Sequence, residues 1–350
     1  MKLGDLSVAY IYSLRAALHS LGHNPEPLLR RYRISPALLE QTQARISIPR
    51  FMRLGHAAIQ LSGRTDIGLL MGLHSQPSHF GLPGMAAQCA PTLAEAFEVL
   101  VRFEHLVNQS YRGQSTFQAP ASRFYSINPY NTFNLFVVDS ALASRMQLAR
   151  QLTRGAARLR EVHIEFPAPE YSARYEVVFG CPVLFEQQHN QLIWEPDSLA
   201  LQPEQSAATT YNQLIELCHT HLTELTRHRR LRERVEEILS PKLHSQLPTL
   251  DEVASQLGLP GWTLRRRLKT EDNTRFQDII DEIRRELAVT YIRDTEIALG
   301  EVSFLLGFSS PAAFQRAFKR WTGVAPGQYR RQSREAVLLN DQGRPETRFT

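Results

Sequence analysis

Two stretches in the last third of the 350-residue chain repeat one pattern. The first, VASQLGLPGWTLRRRLKTED, runs from Val253 to Asp272; the second, VSFLLGFSSPAAFQRAFKRWTG, runs from Val302 to Gly323. Each contains a Leu-Gly-apolar step, Leu257-Gly258-Leu259 and then Leu306-Gly307-Phe308. Each continues with two apolar residues four apart, Leu264 and Leu268 or Phe314 and Phe318, followed by Lys269 or Lys319. The offset is 49 residues before the turn and 50 after it, so the second copy has one extra turn residue. A glycine can adopt the left-handed backbone that closes a helix. Apolar residues four apart give the next helix one stripe to bury. Thr249 and Glu252 form a capping box ahead of the first copy, and Pro260 and Pro311 suit the turn or first position of a second helix. The pattern predicts two helix-turn-helix units.

Between the copies lies RFQDIIDEIRRELAVTYIRD. Phe276, Ile279, Ile280, Ile283, Leu287, Ala288 and Tyr291 hold one helical face. A helix of about 18 residues spans roughly 27 Å, near the 34 Å repeat of B-DNA. Two second helices on such a spacer are expected to enter successive major grooves on one side of a duplex.

Burying Leu264 and Leu268 turns Trp262, Arg265, Arg266 and Lys269 outward. Arginine can pair bidentately with guanine O6 and N7, and Trp262 and Thr263 stand at the helix start, the end that meets bases. Lys269, Lys319 and Arg320 suit phosphates, where they add affinity without sequence information. Arg267 lies close to the buried stripe, so its stem is expected on apolar surface and its head in solvent or on phosphate. The second unit offers Pro311, Ala312, Gln315 and Arg316, a blander face expected to discriminate less.

Charge distribution agrees. Arg227 to Ser333 holds 19 Lys and Arg against 14 Asp and Glu, which accounts for the whole net charge of +5. Phe314 to Arg331 carries Arg316, Lys319, Arg320, Arg330 and Arg331 with no acid. A local basic excess points to a polyanion.

The first 200 residues mix patterns. Helices are expected at about 8–21, after a Ser7 cap, and at 49–62, 92–109 and 133–153; the third begins with Thr92 and Glu95, a capping box. Strands are expected at RFYSIN, EVHIEF and VLFEQQHNQLIW, the last as a hairpin turning near His189-Asn190. GLPG, Gly81 to Gly84, reads as a turn. The fold class is therefore an α+β N-terminal domain over 1–202, a helical connector over 203–226 with Leu214, Leu217, Leu222 and Leu225 on overlapping faces, an all-α double helix-turn-helix domain over 227–333, and a frayed tail over 334–350.

Little supports catalysis. Cys89, Cys181 and Cys218 are far apart and form no C-x-x-C. His219 and His221 diverge on a helix, and His74 and His79 flank Pro77 without ligand spacing. No G-x-S-x-G, G-x-G-x-x-G or P-loop is present. No metal, cofactor or enzymatic role is expected. No apolar run approaches the roughly 20 residues needed to span a bilayer, so a cytoplasmic protein with no membrane partner is expected. Arg145, Tyr111 and Tyr125 are polar groups on core-facing elements, read as structural.

LGEVSFLLGFSSPAAFQRAFKRWTGVAPGQYRR, Leu299 to Arg331, resembles the signature of the AraC/XylS transcription regulators. Gly307, Phe308, Phe314, Phe318, Lys319, Gly323, Pro326, Tyr329 and Arg330 occupy its places. The resemblance covers about 230 to 333. It implies base-reading positions at Trp262, Thr263, Arg265 and Arg266, and at Pro311, Ala312, Gln315 and Arg316. Pro311 and Ala312 depart from members with polar residues there, and EDNT, Glu271 to Thr274, replaces a glycine common after the first reading helix. PTLAEAFEVLVRFEHLV and FGCPVLFEQQHNQLIWEP resemble the effector-binding half of the subgroup that includes ornithine- and arginine-utilisation regulators, whose half here carries too many helices for a small jelly-roll barrel. The resemblance implies a small-molecule inducer, double-stranded DNA and RNA polymerase as partners, and a homodimer on two half-sites. A DNA-binding regulator controlled by a protein partner or by its own abundance, with no small-molecule effector, stays open as the alternative.

Overall fold

The structure is a computed structural model and describes residues 4–41, 44–110, 113–127, 130, 134–227, 231–243, 247–294 and 298–341. The chain divides into two compact units, residues 2–228 and 229–350.

The first unit begins with β1 (Gly4–Ser7), α1 (Tyr10–Ser20), α2 (Glu26–Arg31), α3 (Pro36–Leu39), β2 (Arg45–Ser47), α4 (Ile48–Ser62) and α5 (Ile67–Leu73). It continues through α6 (Gly81–Cys89), α7 (Leu93–Arg102), β3 (Asn108–Ser110), β4 (Thr116–Gln118), β5 (Ala121–Phe124) and α8 (Leu135–Leu152). The remainder is β6 (Leu159–His163), α9 (Ala173–Phe179), β7 (Val183–Leu184), β8 (Asn190–Trp194), α10 (Pro196–Leu199) and α11 (Ala208–Arg227). One sheet is β2-β1-β3, wholly antiparallel; the other is β4-β5-β8-β6-β7, with only β6 and β7 parallel.

Helix α8 is the centre of this unit. Phe136, Val138, Leu142, Ala143, Met146, Leu148, Ala149 and Leu152 are all buried on it. A helix apolar on most sides must be covered on most sides. Glycines on α5 permit the closest approach: a Cβ on Gly68 would lie 2.6 Å from the Phe136 carbonyl oxygen, and one on Gly72 would overlap Ala143. The cluster then extends to Phe97, Val162, Ile164, Tyr175, Leu192 and Trp194, joining α8 to the five-stranded sheet.

Several expectations change. Ser7 is a strand residue, not a helix cap; Ala9 stands at the N-cap of α1, and the Ser7 hydroxyl accepts from its N–H at 3.2 Å. The helix expected to reach residue 109 stops at Arg102, because Asn108–Ser110 form the outer strand against β1. At its start Thr92 accepts from the Glu95 N–H at 3.2 Å, while the Glu95 carboxylate takes the Thr92 hydroxyl at 3.0 Å. GLPG is the first turn of α6 rather than a loop, with Pro83 where a proline costs no internal bond. β7 and β8 do not form a hairpin. All five residues of β8 are buried, both its edges are taken by β5 and β6, and β7 is left to pair with β6. Tyr111 lies outside the described residues.

The helix expected over 203–226 forms as α11 and packs on its own unit: Cys218 is buried with Ala86, Val99 and Phe103, and Leu214 and Leu222 cover them. Leu217 is exposed.

Among its described residues the second unit has only helices and their connections: α12 (Leu231–Leu239), α13 (Leu250–Gln256), α14 (Gly261–Glu271), α15 (Phe276–Asp294), α16 (Leu299–Leu305), α17 (Pro311–Thr322) and α18 (Pro326–Asp341). The spacer is α15, whose 19 residues span about 28 Å at 1.5 Å each. Its Ile279, Ile280, Ile283, Leu287, Ala288 and Tyr291 are buried, as the periodicity requires. The tail expected over 334–350 begins in helix, since α18 continues past Ser333 to Asp341.

Candidate nucleic-acid interface

Each repeated copy folds as two helices about a left-handed glycine. Gly258, after α13, has φ +69°, and Gly307, after α16, has φ +66°. Thr249 accepts from the Glu252 N–H at 3.3 Å while Glu252 accepts from the Thr249 N–H at 2.7 Å, so the capping box at α13 is complete. Pro260 is the N-cap residue of α14, whereas Pro311 is the first residue of α17 behind Ser310, whose hydroxyl accepts from the Ala313 N–H at 3.2 Å. That cap uses the extra turn residue of the second copy. Asn273 stands in EDNT with φ +48°, supplying the left-handed step that a glycine would otherwise take.

Leu264 and Leu268 on α14, and Phe314 and Phe318 on α17, have no exposed surface. Phe314 lies 5.5 Å from Phe308 and 5.8 Å from Phe318 between ring centroids, and Phe318 meets Tyr329 edge-on at 5.5 Å. These contacts fix which way each helix faces. Arg265, Arg266 and Lys269 are exposed on α14, with Trp262 66% exposed and Thr263 half-buried at its start. On α17, Pro311, Ala312, Gln315, Arg316, Lys319 and Arg320 are all exposed. The residues singled out from sequence are therefore presented on two outward helix faces. The Arg266 guanidinium lies 5.3 Å from the Trp262 ring centroid, a cation–π contact one helical turn long.

Two arginines behave differently from their charge alone. Arg267 carries its head to the surface, as expected, but pairs there: its Nε and Nη2 donate to both carboxylate oxygens of Glu271 at 2.6 and 3.2 Å. That pair holds the Glu271 carboxyl below its usual range. Arg330, in the acid-free window, donates from Nε to the Ile292 carbonyl at 3.2 Å. Sequence reasoning also missed Arg284 on α15, whose Nε donates to the Leu306 carbonyl at 2.9 Å. No local signal marks it, since its partners are backbone atoms 22 and 23 residues away.

Elsewhere, Arg145 donates to the Ser115 hydroxyl at 2.6 Å and lies 3.5 Å from Glu104. Tyr125 accepts from Asn108 at 3.2 Å, and burial pushes its phenol up to about 12. His79 shares a 2.8 Å hydrogen bond with Ser13, and His74 one of 3.2 Å with Ser20. No group of three His, Cys, Asp or Glu side chains placed to hold a metal occurs among the described residues. No helix among them is long and apolar enough to cross a membrane.

Residues 22–203, more than half of the chain, match the model of the arabinose-binding domain of AraC transcription regulators, and residues 253–332 match a helix-turn-helix domain model. The ornithine utilization regulator of Pseudomonas aeruginosa is 26% identical over 325 residues, 92% of this chain and 95% of that protein. The regulator VirS of Mycobacterium tuberculosis is 28% identical over 344 residues, 94% of this chain and 98% of its own. The crystal structure of the regulator CdpR from P. aeruginosa aligns with 87% of this chain and 96% of its own, at 24% identity and a TM-score of 0.41. With outward-facing helix-turn-helix units behind an arabinose-binding-type domain, the chain belongs to the AraC/XylS family of DNA-binding transcriptional regulators and is not an enzyme.

Proposed function

We propose that the second unit reads double-stranded DNA with both repeated copies at once, α14 and α17 entering successive major grooves on one side of the duplex. The observation that carries this reading is the burial of Leu264, Leu268, Phe314 and Phe318, which leaves two polar and basic helix faces outward within one compact unit. Arg265 and Arg266 reach base edges, with guanine O6 and N7 as their natural partners. Trp262 and Thr263 meet the duplex at the start of α14. Pro311 and Ala312 offer apolar contact to thymine methyls, and Gln315 and Arg316 add one amide and one guanidinium. Lys269, Lys319 and Arg320 bind phosphates.

In this reading the first unit takes a small-molecule effector, supported by the arabinose-binding-domain match that spans most of it. The protein acts in the cytoplasm as a homodimer on paired half-sites and engages RNA polymerase there. The effector shifts regulation by binding one arrangement better than another.

Selection of duplexes from a random pool by the full chain tests the DNA reading. Enrichment of a bipartite sequence with salt-sensitive binding is expected; no preference over random competitor would overturn it. Thermal melts with a panel of amino acids, amines and short-chain acids test the effector reading. A shift of the first unit's transition supports it, and no shift across the panel favours control by a protein partner.

A further inference from the structure

The spacer helix grips its two flanking units by different means. Arg284 is half-buried on α15 and reaches the turn of the second copy. Its Nε donates to the Leu306 carbonyl at 2.9 Å and its Nη2 to the Gly307 carbonyl at 3.1 Å. The same guanidinium lies 5.0 Å from the Phe308 ring centroid. All three residues of the Leu-Gly-apolar step are thus held by one side chain. The Leu306 carbonyl is an orphan of the α16 terminus, where a cation also meets the negative end of the helix, and the Gly307 carbonyl follows it in the turn. From the other side, a Cβ on Gly307 would overlap the Leu243 carbonyl oxygen, so the turn is pinned between Arg284 and the chain beyond α12.

No equivalent clasp holds the turn of the first copy among the described residues: Gly258 faces open space. That copy is tied through α12 instead. The Arg232 N–H donates to Asp272 at 3.1 Å, just past α14. The Arg232 guanidinium pairs with Glu236 at 2.8 Å and with Glu282 of α15 at 2.7 Å. Glu282 and Arg284 are two residues apart, about 200° around a helix. They therefore leave α15 on opposite sides at one level, each holding the neighbour on its own side.

We propose that Arg284 is a positioning residue that fixes the second unit's rotation on the spacer helix, and so sets the base-pair separation between the two sub-sites the protein accepts. The inference rests on the two-groove reading above. One inserted base pair moves the second sub-site by about 3.4 Å and by about a tenth of a turn. A rigidly clasped unit cannot follow that displacement, whereas a unit released at its turn can.

The test uses the full chain and the bipartite duplex recovered from the random pool, remade with the separation changed by one and two base pairs in either direction. Wild type is expected to lose about tenfold or more in affinity per step. Arg284→Met should bind the optimal duplex about tenfold less tightly, with its preference among separations reduced to about threefold or less. Base changes within the second sub-site should still cost the variant affinity, and its affinity for a duplex holding the first sub-site alone should equal wild type. Arg284→Lys, with one flexible donor head in place of a planar fork, should restore the spacing preference in part. An unchanged separation profile in Arg284→Met overturns the proposal. So does loss of all discrimination at the second sub-site, which would make Arg284 a support of the fold rather than of the spacing. If wild type recovers no bipartite sequence, the two-groove reading itself falls and takes this inference with it.

Discussion

Replacing Lys269 or Arg267 by alanine removes one positive charge from α14 in each case, yet the two should affect DNA binding differently. Binding releases counterions from the duplex, and log K falls with log salt at a slope of about −0.9 per phosphate neutralised. Six exposed cations lie on the two outward faces: Arg265, Arg266, Lys269, Arg316, Lys319 and Arg320. If only Lys269, Lys319 and Arg320 meet phosphates, the slope is about −2.7; if all six do, it is about −5.4. Between 50 and 200 mM salt these limits correspond to affinity losses of roughly 40-fold and roughly 2,000-fold. Lys269→Ala should lower the slope by about 0.9 and weaken all duplexes alike. Arg267 is already neutralised by its two hydrogen bonds to Glu271. The double variant Arg267→Ala with Glu271→Ala removes a neutral pair and should leave the slope unchanged. Fluorescence anisotropy with the selected duplex, titrated at five salt concentrations, measures all three. A wild-type slope shallower than about −2, or a slope loss in the double variant equal to that of Lys269→Ala, would refute the assignment of phosphate contacts from exposure and pairing.

Other consequences follow from the same contacts. Arg265→Ala should cost about 1–3 kcal/mol of discrimination at one base-pair position while leaving the melting temperature unchanged, because the side chain is exposed and makes no fold contact that a stability assay would register. Gly258→Ala should destabilise the second unit by about 1–2 kcal/mol through its left-handed backbone alone. Gly307→Ala should cost about 1–3 kcal/mol more in the same denaturation experiment, since its Cβ also meets the Leu243 carbonyl; equal losses would contradict the pinned turn. In the first unit Asp139 is fully buried and accepts from Tyr175 at 2.5 Å and Tyr171 at 2.8 Å. Burial pushes its carboxyl up to about 7, partly opposed by those two hydroxyls and reinforced by Asp66. A folded-state pKa above the unfolded value means that the native state holds the proton more tightly. The stability from this group is complete below about pH 4 and is lost as pH rises to about 7, by up to ~1.4 kcal/mol per pH unit. The difference in unfolding between wild type and Asp139→Asn should therefore shift in favour of the variant from pH 5 to pH 8, and a pH-independent difference would show that Asp139 stays ionised.

Much of the candidate interface was legible because it is local. Leu264 with Leu268, and Phe314 with Phe318, announce a buried stripe by spacing alone, and what they bury decides what Arg265, Arg266, Lys269, Lys319 and Arg320 must expose. Gly258, Gly307 and the Thr249–Glu252 box mark helix ends by chemistry within a few residues. The long helices α4, α11 and α15 are written in apolar periodicity for the same reason. The head of Arg267 reaches the surface as its position predicts, but its pairing with the Glu271 carboxylate one turn on was not foreseen, because sequence does not rank that partner against water.

What the sequence by itself determined is the long helices, the caps at Thr92 and Thr249 and the outward faces of the two repeated units, since each depends on residues within about one turn of one another. What only the tertiary structure decided involves partners distant along the chain. β6 lies between β7 and β8 because β8 is buried on every residue and needs both edges paired. α11 buries its Cys218 against Ala86 and Phe103 rather than standing free. Arg284 finds the carbonyls of Leu306 and Gly307 across the fold. Backbone carbonyls are the same at every position, so no residue pattern can mark in advance which of them a distant side chain will hold.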